Sequence, residues 1–472
     1  MSLSSSINTA ALGLRTAQTQ SRVTAENVAN SNTEGYARRR AMVVSSVAQA
    51  PGPVVTEIRR EVDLALTRMS RNEMGKVAKR QAIHDALTNY ATFLGQPGDK
   101  TSPAEKFSAF SSSLTTLVNS PASREAQFGV VLAAEDLATS IRQASENLSA
   151  VRTDVDMEMR YEVSELNQTL YRVADLNRRV AKVGRGTPEA NQFDEQMDRL
   201  LDRIAGIADI RVFSNGDGTL NIYTTGGAAL VERSLVQDVR FEPSDGTIMA
   251  GDVEITPNMP GIRGLSEGSI AGLSELKRGI LPRIQLQLDE YARGLIESFE
   301  TADLSVSVGD PGLFTDGGTA FQTTNLENLA FRIQVNDLVI SSAGGDVWRI
   351  RDGMGATNPG DASDNSQIQR FIDALEQPLS ADAGTGIDSL VSIADYGAQM
   401  VSVQGTERAR SQENLNSARS SAEIVIASRS NFEGVNIDEE MQELQIIQQS
   451  YVANSRVMTT VLGMIDTLLN AV

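Results

Sequence analysis

Cysteine is absent from these 472 residues, and histidine occurs once, at His84. Without thiols there is no disulfide, no thiolate nucleophile and no cysteine-ligated metal. A single histidine excludes imidazole-based triads and metal sites built from several histidines. Aromatics are scarce, with one Trp and eight Tyr; that composition suits long helices more than a dense catalytic core. Long apolar runs are missing too. No stretch approaches the roughly 20 apolar residues of a membrane helix, so no membrane insertion is expected. Residues 1–14 lack the basic start and unbroken apolar run of a cleavable signal peptide. The simplest expectation is a cytosolic chain; if it is exported, the route does not need a cleavable signal.

Positive charge is in short supply. Sixty-one Asp and Glu face 42 Lys and Arg, for a net charge of −19. Phosphate neutralisation needs clustered cations, so nucleic-acid binding is not expected. The imbalance is uneven, because residues 1–80 hold twelve Lys/Arg against six Asp/Glu. Arg38, Arg39 and Arg40 read as a basic loop that pairs with acidic surfaces of neighbouring subunits. Asp438, Glu439 and Glu440 read as acids at a helix start, where they complement the dipole. His84 has no obvious partner and carries no expected chemistry. Gly216 and Gly218 sit between two strands rather than before a helix, so they form a hairpin turn and not a dinucleotide loop. Asn215, Asp217 and Thr219 lack the frame of a calcium loop. No catalytic residue, metal or cofactor is expected.

What the chain does have is heptad spacing at both ends. Towards the C-terminus the apolar steps run Ile437, Met441, Leu444, Tyr451, Met458, Leu462, Ile465, Leu469 and Val472. Near the N-terminus they run Leu3, Ile7, Ala10, Leu14, Ala17 and Val28. Both are coiled-coil seams. A helix over 437–472 would be about 54 Å long, and its narrow stripe needs a partner helix. The two ends are therefore expected to meet in a shared coiled coil with the middle of the chain inserted between them. Gln448 and Ser455 stand in the C-terminal seam where apolar residues belong. Such residues select register at a cost in stability, or are tolerated at a wet edge.

The fold class is α+β and multidomain, with a long helical coiled-coil core formed by both termini and inserted β-rich outer domains. Axial helices and an extended linker fill 1–100, and a long helical body 101–205. A β-rich insert occupies 206–265, signalled by the Asn215–Gly218 turn between Ile210–Phe213 and Leu220–Tyr223. A helical return covers 266–304. A small mixed insert follows at 305–395, with strands expected at Leu338–Ile340 and Val347–Ile350 around Gly344 and Gly345. The C-terminal helices take 396–472, broken at Gly434.

The segment Asn27-Val28-Ala29-Asn30-Ser31-Asn32-Thr33-Glu34-Gly35-Tyr36-Ala37-Arg38 resembles the N-terminal signature of the flagellar axial proteins, the family of rod, hook and hook-associated proteins. Val28, Glu34, Ala37 and Arg39 depart from its commonest residues. Gly434-Val435-Asn436-Ile437-Asp438-Glu439-Glu440-Met441 and Gln448-Gln449-Ser450-Tyr451-Val452-Ala453-Asn454 are similar to the end of the hook-associated members. The likeness is close over roughly the first 40 and last 40 residues and weaker at 200–223 and 268–273. It implies a non-enzymatic subunit of the bacterial flagellum at the joint between hook and filament; the alternative is a hook or distal rod subunit. The expected partners are further copies of the chain, the hook protein, a second junction protein (hook-associated protein 3) and an export chaperone on the C-terminal helix. Type III export and an extracellular, flagellar location follow from the same likeness. The residues expected to form the assembly interface are Leu3, Ile7, Leu14, Asn27, Asn30, Asn32, Thr33, Gly35, Tyr36, Arg38, Met441, Leu444, Gln448, Tyr451, Ser455, Met458, Leu462, Ile465 and Leu469.

Overall fold

Long helices dominate the chain, and they begin and end where the sequence places its turn residues. The computed structural model describes residues 3–33, 35–46, 52–94, 102–183 and 187–470. Helix α1 (Leu3–Ala29) leads into the hairpin β1 (Arg39–Ser46) and β2 (Gly52–Arg60). Helices α2 (Leu64–Leu94), α3 (Pro103–Asn119), α4 (Arg124–Val180) and α5 (Pro188–Ile207) follow. Seven short strands come next: β3 (Ile210–Ser214), β4 (Leu220–Thr224), β5 (Ala229–Glu232), β6 (Leu235–Val236), β7 (Val239–Glu242), β8 (Thr247–Ala250) and β9 (Val253–Glu254). Helices α6 (Ser269–Glu275) and α7 (Leu281–Ala302) are joined by a wider π-type turn at Leu276–Ile280. Pro282 follows it at the first turn of α7 and has no N–H for the regular ladder. Then come β10 (Phe314–Asp316), α8 (Leu329–Arg332), β11 (Ile333–Val335), α9 (Arg349–Asp352), α10 (Ser366–Glu376), β12 (Pro378–Ser380) and β13 (Leu390–Ser392). Helices α11 (Ile393–Glu433) and α12 (Ile437–Asn470) close the chain.

The chain forms two compact units. One comprises Met1–Lys79, Glu162–Ala271 and Asn416–Val472; the other comprises Arg80–Tyr161 and Gly272–Leu415.

In the first unit, α1 packs along α12. The hairpin β1–β2 is antiparallel, with an irregularity between Met42 and Val43. Thr16 Oγ1 donates to the Pro53 carbonyl at 2.9 Å and so fixes α1 to β2. Two meanders, β3-β4-β5-β6 and β7-β8-β9, are tied to α4 by two asparagines. Asn167 donates to the carbonyl of Val239 and accepts from its N–H, both at 2.8 Å. Asn177 accepts from the Leu220 N–H at 2.9 Å and donates to the carbonyls of Leu220 and Arg233. Each side chain thereby satisfies strand-edge groups that would otherwise be buried without partners. The 215–218 turn is as expected, with Gly218 at φ 90°.

In the second unit the few aromatics are concentrated in one core. Phe299 lies 5.6 Å from Phe110, 5.2 Å from Phe314 and 4.9 Å from Phe371 between ring centroids. Phe110, Phe299, Phe314 and Phe371 are fully buried, and tilted or edge-on pairs of this kind add to simple area burial. Asp289 on α7 accepts the N–H groups of Asn328 and Ala330, satisfying orphan donors at the start of α8. Two sequence expectations fail in this unit. Val347–Ile350 is not a strand: Arg349–Asp352 is a helical turn, and Asp337–Val339 is a 3₁₀ turn. The strand nearest in sequence is β11, paired with β10 over three residues, too short to carry a readable period. His84 is not without partners, since Nδ1 lies 3.2 Å from Ser411 Oγ and Nε2 lies 3.3 Å from Thr88 Oγ1.

Candidate assembly interface

The pairing of α1 with α12 begins in small residues. Ala10, Gly13, Thr16, Ala17, Thr24 and Asn27 are buried on α1. Small side chains let two helix backbones approach closely. At Gly13 the approach is so close that a Cβ would stand 2.6 Å from Asn454 Oδ1. On α12 the buried positions are Glu440, Ile447 and Val461. Leu444, Ser455, Met458 and Ile465 are half-buried. The face turned inward is thus rotated from the sequence seam. Met441, Gln448, Tyr451, Leu462 and Leu469 are exposed. On α1, Leu3, Ile7 and Leu14 are half-buried.

Beyond α1 the chain turns sharply. Asn30 Nδ2 donates to the Glu26 carbonyl at 2.8 Å, and the Thr33 hydroxyl donates to Asn30 Oδ1 at 3.2 Å. Gly35 adopts φ 73°, a region that favours glycine; a Cβ there would also meet Arg199 Cγ at 3.2 Å. Asn32, Thr33 and Gly35 are exposed. Glu34 and Val472 lie outside the described residues.

The turn places Asn27 at the centre of a clasp. Its Nδ2 donates to the Arg39 carbonyl at 2.9 Å and to Glu440 Oε2 at 3.0 Å. Its Oδ1 accepts from the Arg39 N–H at 3.0 Å and the Tyr36 hydroxyl at 2.8 Å. All four hydrogen-bonding positions of the buried amide are filled. Glu440 is 1% exposed, and its Oε1 accepts from Arg38 Nε at 2.7 Å. Arg38 also reaches Glu61, Glu439 and Glu443. Burial alone would lower the Arg38 guanidinium, but Glu440, Glu61 and Glu443 leave its pKa raised. Arg39 pairs with Glu195 at 2.8 Å and lies 5.0 Å over the Tyr36 ring. Burial, opposed by Arg39, pushes the Tyr36 phenol up to about 12. All three arginines also have partners within the chain, Arg40 through Glu61. Glu440 was hidden in the sequence by its acidic neighbours. Asp438 and Glu439 occupy the first turn of α12 as expected, with Asn436 Oδ1 accepting from the Asp438 N–H at 3.0 Å.

A second feature was invisible in the sequence. Arg60, Asp198, Arg71, Asp202, Arg429 and Glu433 alternate in sign through contacts of 2.7, 3.0, 2.6, 3.0 and 2.9 Å. This ladder ties β2, α2, α5 and α11 together. Asp202 and Glu433 outweigh the burial that would lower Arg429, and its pKa is raised. The ladder's members lie far apart in sequence, and only Asp198 with Asp202 and Arg429 with Glu433 show helical spacing.

Apolar residues remain exposed along α12, including Ile446 at 66%, Leu468 at 55% and Leu469 at 72% exposure. Among the described residues, no group of His, Asp or Glu is arranged to hold a metal, and no helix is long and apolar enough to cross a membrane.

Comparison of the sequence with known proteins returns relatives of one kind. A model described as the flagellar hook-associated protein FlgK helical domain matches residues 91–305. Models for the flagella basal body rod protein and the flagellar basal body rod FlgEFG protein C-terminal match residues 7–36 and 429–471. Flagellar hook-associated protein 1 of Escherichia coli is 25% identical over 99% of this chain and all of that protein. The protein of that name from Bacillus subtilis is 22% identical over 98% of this chain and 97% of its own length, and that of Salmonella typhimurium is 22% identical over 99% and 100%. The solved structure of the flagellar hook junction protein FlgK from Burkholderia pseudomallei is 19% identical, with a TM-score of 0.44 over 53% of this chain and 47% of that one. With relatives of one name matched from end to end, and flagellar family models at both termini and through the helical middle, the chain is similar over its whole length to flagellar hook-associated protein 1.

Proposed function

We propose that the chain is a structural subunit joining flagellar hook to filament, held among neighbouring subunits by the outward face of its terminal helix pair. The observation that carries this mode of assembly is the division of α12. Glu440, Ile447 and Val461 close on α1, while Met441, Tyr451, Leu462 and Leu469 stay exposed beside them. A large apolar side chain taken from water to a buried contact contributes about 1.5–3 kcal/mol. A stripe of them along one helix is a strong drive to associate.

The partners that fit this face are further copies of the chain, the hook protein and hook-associated protein 3. Before assembly the same stripe would be covered by an export chaperone, and the chain would leave through the flagellar export route without a cleavable signal. The chain acts as a building part and not as a catalyst. Its single histidine is held between Thr88 and Ser411, hydroxyls that supply no charge to activate it.

Electron microscopy of cells lacking the gene, with flagellin assayed in the medium, tests the role. Hooks without filaments, and flagellin lost to the medium, are expected. Missing hooks would assign the chain to hook or rod, and normal flagella would contradict the role.

A further inference from the structure

A groove of about 530 Å³ runs between α4 and α5 in the first unit, lined by Tyr171, Arg172, Leu176, Arg179, Arg199 and Leu200, with Asp175 and Gln196 at its rim. Its charges are unbalanced. Asp175 is already met by Arg178 at 3.0 Å and Arg179 at 3.5 Å, and Arg179 lies 5.2 Å over the Phe193 ring. Arg172 and Arg199 carry no hydrogen bond or ion pair among the described residues, and both are exposed. Two unpaired guanidinium groups on a chain of net charge −19 mark a place for carboxylates. A bare anion would use the arginines but not the apolar floor of Leu176 and Leu200, whereas a polypeptide segment uses both.

We infer that this groove receives an exposed acidic segment of a second copy of the chain. The inference rests on the reading of the chain as an assembling subunit. Copies that each carry −19 repel one another, so contact is favoured where carboxylates of one meet unpaired cations of the other. The chain presents such segments: residues 357–366 are exposed throughout and carry Asp361 and Asp364, whose carboxyls are held below the usual range by the Ser363 and Ser366 N–H groups. The groove also adjoins the terminal motif, since Arg199 Cγ packs at Gly35. A copy seated there would touch the wall on which the clasp loop rests.

The absence of cysteine makes a direct test possible. Gln196→Cys puts one thiol at the groove, and Tyr451→Cys puts one at an exposed position of α12. Each full-length variant, assembled in flagella, is labelled with a benzophenone maleimide and irradiated. The expected result for Gln196→Cys is a band of twice the chain mass, joined to a peptide of the second copy bearing clustered carboxylates. That band is expected to be lost when Arg172→Glu is added. Arg172 is exposed and supports nothing in the fold, so this loss is independent of folding. A Tyr451→Cys dimer with no Gln196→Cys dimer overturns the groove and leaves assembly through α12 standing. Failure of both overturns both. A cross-link to another protein, to a peptide without clustered acids, or one that survives Arg172→Glu also overturns the inference.

Discussion

Asn27 and Glu440 lie 413 positions apart in sequence and are joined by a hydrogen bond of 3.0 Å from Asn27 Nδ2 to Glu440 Oε2. The bond links the end of α1 to the first turn of α12, and Tyr36, Arg38 and Arg39 complete the clasp. A buried carboxylate and a buried backbone strand edge share one amide. Removing that amide leaves several groups without partners at once.

Asn27→Ala is therefore expected to destabilise the chain by roughly 2–3 kcal/mol, the cost of leaving buried polar groups unpaired. Asn32→Ala, at an exposed position of the same motif, is expected to stay within about 0.5 kcal/mol. Urea unfolding of both variants checks the contrast, and equal midpoints would contradict the clasp.

A side chain at Gly13 is expected to displace the Asn454 amide. Its Cβ would stand 2.6 Å from Asn454 Oδ1 and 2.7 Å from Cγ. Gly13→Val forces α1 away from α12, at about 1–3 kcal/mol for overpacking. Gly463→Val, where a Cβ would meet open space, controls for the loss of glycine alone. Hydrogen exchange along α12 reads the effect, with protection lost in the first variant and kept in the second.

Tyr36 gives a pH dependence of known sign. Its phenol is pushed up to about 12 in the folded chain, against about 10 when unfolded. The folded state holds the proton more tightly, so the stabilisation is complete below pH 10 and is lost as pH rises through 12. Tyr36→Phe cannot ionise, so the stability difference between wild type and Tyr36→Phe is expected to shrink over that window. A difference constant from pH 9 to 12 would contradict the assignment.

The helical plan was legible in the sequence because its signals are local and long. The break at Gly434 and the 215–218 turn both act within a few residues. The meeting of the two ends was legible from their shared period. The rotation of the seam was not. Glu440 reads as a solvated acid until Asn27 and Arg38 are placed beside it, and Tyr451 and Leu462 stay exposed although they belong to the apolar seam. The Arg60–Glu433 ladder and the α4–α5 groove depend on side chains brought together from distant segments, which no local pattern encodes. The strand expected at Val347–Ile350 failed because three- and four-residue apolar runs do not distinguish a strand from a helical turn.

The most direct test of the account is electron microscopy of cells whose chain carries Tyr451→Ser and Leu462→Ser together, with the unfolding midpoint of the purified variant measured alongside. Both side chains are exposed, so the midpoint is expected to move by less than about 0.5 kcal/mol, while hooks stand bare and flagellin is lost to the medium. Filaments of normal number and length on those hooks would contradict the assembly role of the outward face of α12.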